Sequence, residues 1–286
     1  MKLIFFGTSS FAVPALKALR EAGHEICAVV TQPDQPVGRK QVVTAPPIKV
    51  AAQELELKIL QPESLKSDES ILKFLRISEC SLCVVAAYGK LIPKSLLEIP
   101  KYGFINIHPS LLPKYRGPSP IQTTILNGDE VMGVTIMKLD AGMDTGPMLA
   151  QIKFHPAPDE TFTEIHDKLA GLGAELLIET IPEYIAGRIT PRTQDNTQAT
   201  TTKIFKREDG RIDWSRPARD IYNQIRALNP EPGTWTTWRD KVLNIKLAGL
   251  ENNELKIKTL QPEGKKETSF KDFLNGYSDF KISDCK

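Results

Sequence analysis

Two periods of apolar spacing take turns along this chain. Lys2-Leu3-Ile4-Phe5-Phe6 is a short apolar run halted at Gly7-Thr8-Ser9-Ser10, after which Phe11, Leu16 and Leu19 recur at helical spacing. The pattern predicts strand, glycine turn, helix. Residues 25–30, 80–87 and 104–108 predict further strands, and residues 48–55 a helix. Strands alternating with helices point to an α/β fold with a doubly wound, mostly parallel sheet. Ligands of such sheets sit beyond the carboxyl ends of the strands, and Gly7, Tyr88 and His108 all fall at such ends. Three segments are therefore expected to converge on one cleft.

Between two of these elements, residues 31–47 are proline-rich, carry Arg39-Lys40 and show no apolar periodicity. A connection this long reads either as a substrate-contacting flap or as a tolerated surface insertion. Residues 133–137 and 147–152 predict strands flanking the loop 140–146, and 161–185 a long amphipathic helix with Ile165, Leu169, Leu172 and Leu176 on one face. His166, beside that stripe, reads as a surface or packing histidine. The polar tract 193–202 has almost nothing to bury. It divides the chain into a domain 1–192, a linker 193–205 and a domain 206–286. Within the last, a helix over 217–228 and strands near 234–239, 242–247 and 255–260 suit a small β-barrel with one helix.

Composition narrows the options. A chain of 286 residues, 41% of them hydrophobic, can bury a full core. No apolar run approaches the roughly 18 residues that span a bilayer, and the N-terminus enters a strand pattern without a charged leader, so a cytoplasmic protein with no membrane contact is expected; a monomer is the expected state. The four cysteines form no disulfide framework, and Cys80-Ser81-Leu82-Cys83 leads into a buried-strand run with no second cluster to complete a metal site. A net charge of +2 excludes nucleic-acid binding by bulk charge alone, although the slight basic excess lies from residue 206 onward.

Side chains two apart on a strand face the same way, which puts the amide of Asn106 beside the imidazole of His108. Asp144 lies in Asp140-Ala141-Gly142-Met143-Asp144-Thr145-Gly146, where two glycines allow a sharp bend, and a carboxylate there can orient the imidazole. The chain has no G-x-S-x-G elbow, no G-x-G-x-x-G and no Walker A sequence. Direct transfer between two bound substrates remains. In acyl transfer to an amine, Asn106 can donate to the oxygen that becomes negative, and His108 backed by Asp144 can carry the proton. The same three residues can instead merely satisfy backbone groups at a strand end and a glycine turn.

The run Phe104-Ile105-Asn106-Ile107-His108-Pro109-Ser110-Leu111-Leu112-Pro113-Lys114-Tyr115-Arg116-Gly117 resembles the 10-formyltetrahydrofolate-dependent formyltransferases, whose signature includes N-x-H-P-S-L-L-P. Further agreement comes from residues 7–12, Gln32-Pro33-Asp34-Gln35-Pro36-Val37-Gly38-Arg39, residues 84–93 with Tyr88-Gly89, and residues 140–149. Past the linker, Arg211-Ile212-Asp213-Trp214, Ile225-Arg226-Ala227-Leu228-Asn229-Pro230 and 260–266 resemble the branch that acts on charged initiator tRNA. The resemblance implies a formyltransferase-type, Rossmann-like first domain and an OB-like second domain. It implies Asn106, His108 and Asp144 as the catalytic trio, with Ser110, Leu111, Leu112, Pro113 and Tyr88 lining the formyl-folate pocket. The donor is 10-formyltetrahydrofolate, with no metal, and the acceptor is the α-amino group of methionyl initiator tRNA. Arg39 is implied as a flap contact to tRNA, with Lys203, Lys206, Lys265 and Lys266 as candidates in the second domain.

The chain departs from the pattern at Thr200-Thr201-Thr202 and at Glu251-Asn252-Asn253-Glu254, where the family has extra β-structure, so the barrel is expected to be abridged. A formyl-folate enzyme acting on a sugar-linked amine, a formyl-folate hydrolase and a non-catalytic RNA-binding protein are the alternatives.

Overall fold

The apolar runs of the N-terminal half become strands buried on both faces, as a parallel sheet covered by helices requires. In the computed structural model, which describes residues 1–38, 41–66 and 68–285, these elements are β1 (Lys2–Gly7), α1 (Val13–Glu21), β2 (Glu25–Val30), β3 (Gln35–Val37), β4 (Val42–Thr44), α2 (Pro47–Glu54), β5 (Ile59–Leu60), α3 (Glu69–Ile77), β6 (Leu82–Ala86), α4 (Lys94–Leu97) and β7 (Phe104–His108). There follow α5 (Pro120–Asn127), β8 (Met132–Lys138), β9 (Met148–Phe154), α6 (Phe162–Ile185), α7 (Ala218–Leu228), β10 (Thr234–Trp238), β11 (Lys241–Glu251), β12 (Glu254–Pro262), β13 (Thr268–Ser269) and α8 (Phe270–Gly276). The chain forms two compact units. One comprises Met1–Pro118, Gly133–Phe154 and Asp167–Thr201; the other comprises Ser119–Met132, His155–His166 and Thr202–Lys286.

Among the described residues the main sheet has the order β5-β2-β1-β6-β7-β8-β9. β1 pairs in parallel with β2 and β6, and β6 with β7, while β7 and β8 are antiparallel. The chain therefore winds from β1 to one side and resumes at β6 on the other. The resulting switch point lies between the ends of β1 and β6, where Gly7 stands opposite Ala86. Behind it the ring of Phe6 packs at 5.5 Å from Tyr88 and 5.3 Å from Phe104, in a core shared with Ile4, Val30, Leu75 and Leu96.

The segment expected to lack regular structure, 31–47, contains a short hairpin, with Gln35 opposite Thr44 and Pro36 opposite Val43. Val42 and Val43 lie exposed on it. Lys49 donates to both carboxylate oxygens of Asp34 at 2.8 Å and Gln61 donates to one at 2.8 Å, tying the hairpin's base to α2 and β5. These bonds, that from Lys49 foremost, hold the Asp34 carboxyl below its ordinary range. Arg39 lies outside the described residues.

In the second unit the strand order is β10-β11-β12-β13, antiparallel throughout. Both long hairpins turn on two residues in the left-handed region: Arg239 and Asp240 at φ 50° and 58°, Asn252 and Asn253 at φ 51° and 65°. Such pairs match the twist of the strands they join, so the short 251–254 connection is a tight turn. Of the expected β-barrel, what is shown is an antiparallel sheet carrying helices. α7 buries Ile221, Tyr222, Ile225 and Leu228, which recur at helical spacing, and packs against β11 and β12. Trp238 meets the rings of Phe273, Tyr277 and Phe280 at 5.8, 5.4 and 5.3 Å. No helix among the described residues is long and apolar enough to cross a membrane.

Candidate active site

Alternation along β7 separates packing from chemistry. Ile107 points towards α6, so close to Gly173 that a Cβ there would stand 2.7 Å from its methyl group. Phe104, Asn106 and His108 occupy the other face. Asn106 is half-buried, and its side-chain amide has no hydrogen-bond partner among the described residues. His108 is buried, with Nε2 2.9 Å from the carbonyl of Tyr115 and Nδ1 3.7 Å from Oδ2 of Asp144. If Nε2–H donates to that carbonyl, Nδ1 is the nitrogen left facing the carboxylate. A proton taken up there meets a negative charge across an ionic rather than hydrogen-bonded gap.

Asp144 is held by its loop. Asp140 accepts from the Gly142 N–H at 3.0 Å and from the Thr145 hydroxyl at 2.7 Å, closing the turn. Gly146 then passes so close to β8 that a Cβ would lie 1.9 Å from the carbonyl oxygen of Lys138. Asp144 itself sits at φ 53°, and its Oδ2 accepts the Gly117 N–H at 2.8 Å. The trio expected from the sequence therefore comes together within the first unit.

The residues expected to line the folate pocket divide into two sets. Ser110 is buried and donates its hydroxyl to the carbonyl of Lys114 at 2.6 Å, while Leu112 packs on Met137 and Met148. Tyr88 turns its ring into the core, where its hydroxyl finds no partner among the described residues and burial pushes it up to about 12. Its carbonyl stays at the switch point and accepts from the Thr8 hydroxyl at 2.9 Å and from Gln32 at 2.8 Å. Tyr88, Ser110 and Leu112 are buried, whereas Leu111 and Pro113 are half-buried. Thr135 fixes the segment 110–112: its hydroxyl donates to the Ser110 carbonyl at 2.7 Å and accepts from the Leu112 N–H at 3.1 Å and from Gln151 at 2.9 Å.

Of the lysines expected to meet RNA, Lys203 pairs with Asp209, and Lys265 donates to the Tyr277 hydroxyl at 2.7 Å, holding that phenol below its usual range. Lys206 and Lys266 are exposed. The Cys80 and Cys83 sulfurs lie 3.7 Å apart within the core. Among the described residues no three His, Cys, Asp or Glu side chains are grouped to hold a metal ion.

Sequence reasoning missed Gln194. It belongs to the tract read as a linker, yet it is buried, donating to the carbonyls of Asp144 and Gly146 and accepting from Arg116. The adjoining Thr200 accepts the Tyr115 N–H on its hydroxyl at 2.8 Å and the Arg116 N–H on its carbonyl at 2.8 Å. Its departure from the family pattern thus leaves a working contact.

Residues 1–181 match the family described as formyl transferase, and residues 204–256 match formyl transferase, C-terminal domain. The chain is 42% identical over 298 residues to the methionyl-tRNA formyltransferase of Solibacter usitatus, covering 96% of each protein. It is 49% identical over 245 residues to that of Chloroflexus aurantiacus, covering 86% of this chain and 79% of the relative. In fold it is similar to the methionyl-tRNA formyltransferase from Clostridium thermocellum, with a TM-score of 0.64 at 19% identity over 92% of this chain and 98% of the other. It is similar too to an N-formyltransferase from Helicobacter canadensis solved with folinic acid and dTDP-3-aminofucose, with a TM-score of 0.65 at 21% identity over 88% of each chain.

Proposed function

The chain belongs to the formyl transferase family and, within it, to the methionyl-tRNA formyltransferases; from that premise we propose that Asn106, His108 and Asp144 carry formyl transfer from 10-formyltetrahydrofolate to the α-amino group of methionyl initiator tRNA. The supporting observation is that one face of β7 carries an amide with no hydrogen-bond partner among the described residues and an imidazole whose Nδ1 lies 3.7 Å from a carboxylate.

Formyl-folate supplies the formyl carbon on N10: the amine nitrogen bonds to it, the bond to N10 breaks, and one proton leaves the amine while one reaches N10. Asn106 donates to the formyl oxygen as negative charge develops there, a stabilisation typically worth about 3 kcal/mol. The Tyr115 carbonyl fixes the ring of His108 through Nε2, so proton uptake and return fall to Nδ1. Asp144 steadies the charged ring. A free amide at the cleft suits a donor whose reacting group is a carbonyl, and the half-buried Leu111 and Pro113 give its pterin ring an apolar edge.

We assign formyl-folate to the domain 1–192 and tRNA to an abridged, OB-like domain 206–286, joined through 193–205, in a monomer working in the cytoplasm. Arg39 is assigned to the tRNA as a bidentate cation, with Lys206 and Lys266 as point charges. Lys203 and Lys265 would exchange Asp209 and Tyr277 for phosphate. The decisive assay offers formyl-folate with charged initiator tRNA, charged elongator tRNA and amino-sugar nucleotides. Formylation of the initiator alone is expected, with His108→Ala suppressing turnover. Formylation of a sugar amine in its place would overturn the reading.

A further inference from the structure

Gln194 spends its whole hydrogen-bonding capacity joining two loops. Its Nε2 donates to the carbonyl of Asp144 at 2.8 Å and to that of Gly146 at 2.7 Å. Its Oε1 accepts from Nε of Arg116 at 3.0 Å and from Nη2 at 2.8 Å. An amide offers two donors and two acceptor sites, and all four are engaged.

The two loops are the ones that hold the imidazole and the carboxylate. Arg116 stands between Tyr115, whose carbonyl meets Nε2 of His108, and Gly117, whose N–H meets Oδ2 of Asp144. Both loops carry left-handed backbone at residues with a Cβ, Tyr115 at φ 62° and Asp144 at φ 53°. Such conformations persist only where their surroundings over-determine them. On the Tyr115 side the surroundings include Thr200 and Asn196, the latter accepting from Arg116 at 2.8 Å. On the Asp144 side the side chain that grips the loop's carbonyls is Gln194.

We propose that Gln194 is a positioning residue for formyl transfer: by bridging Arg116 to the Asp144 loop it sets the separation of the Asp144 carboxylate from His108. The proposal rests on the catalytic assignment of Asn106, His108 and Asp144. Gln194→Glu still accepts from Arg116 but has no donor, and it sets a carboxylate against two carbonyl oxygens. Gln194→Met fills a similar volume and does neither.

The experiment is a double-variant cycle in the full chain, measuring formylation of charged initiator tRNA with thermal unfolding alongside. Gln194→Glu is expected to lower kcat by about tenfold or more while KM for each substrate stays within about threefold. In an Asp144→Asn background the same change should lower kcat by less than about twofold, because there is no longer a carboxylate to place. A merely structural role would not distinguish the two backgrounds. Multiplicative losses, or an unchanged kcat for Gln194→Glu, overturn the proposal. Full activity in Asp144→Asn would remove the catalytic assignment and this inference with it, whereas an impaired Asp144→Asn with multiplicative losses removes the inference alone. If Gln194→Glu does not fold, Gln194→Met is read in the same cycle by the same criteria.

Discussion

Asn106→Ala removes one amide that the fold does not use. The side chain is half-buried on β7 and has no hydrogen-bond partner among the described residues, so truncation strands no donor or acceptor. The stability change should therefore stay within about 0.5–1 kcal/mol, in the range of substitutions that break no buried network. The rate should respond very differently. Losing one preorganised donor to a developing oxyanion costs about 2.7–4 kcal/mol, or about 10²–10³ in kcat. A large loss of rate with almost no loss of stability is the signature of a group that acts only in the reaction. It is read by single-turnover formylation of charged initiator tRNA at saturating formyl-folate, together with thermal unfolding of the same preparation. Turnover within about threefold of the parent chain, where the donor's removal calls for at least a hundredfold loss, would refute the role given to Asn106.

Thr135→Val keeps the shape of a buried side chain but leaves the Leu112 N–H and the Ser110 carbonyl without it, at a cost of about 1–3 kcal/mol. Urea unfolding should show that loss together with a raised KM for formyl-folate, and an unchanged midpoint would mean that Thr135 does not hold the segment 110–112. Gly146→Ala places a Cβ where the Lys138 carbonyl oxygen lies 1.9 Å away, so the Asp144 loop must shift. A fall of about 2 kcal/mol or more in stability, with kcat falling too, is expected, and parent-like values of both would contradict the close approach. Burial pushes the Cys285 thiol up to about 11, so its reactive thiolate is scarce in the folded chain at pH 8 and increases as pH rises towards that value. Mass spectrometry after iodoacetamide treatment should show alkylation about tenfold slower than in the unfolded chain, the scarcer thiolate being partly offset by its greater nucleophilicity, and equal rates would refute the burial.

The parts of the site legible in the sequence are those encoded by local period. Alternation alone puts Asn106 and His108 on one face of β7, and two glycines mark the Asp144 loop. Tyr88 shows the limit of that reading. Its place at a strand end locates the residue but not its ring: Ala87 takes φ 44° and Gly89 φ 79°, and the ring packs with Phe6 and Phe104 in the core. Gln194 was illegible for another reason: its partners, Arg116 and Asp144, are 78 and 50 positions away, and no local pattern records a bond across that distance. Helix α3, by contrast, was readable and missed. Asp68 caps it through the Ser70 N–H, and Ile71 and Leu75 are buried one turn apart.

The caging of Trp238 by Phe273, Tyr277 and Phe280 makes residues 270–280 a plug rather than a tail. A chain cut before Phe270 would lay bare an indole and its neighbours, each ring worth some 150–250 Å² of greasy surface, along one flank of a sheet. Loss of RNA discrimination in such a truncation would then reflect clumping before it reflected a missing contact, and indole fluorescence offers an optical gauge of whether the plug is seated.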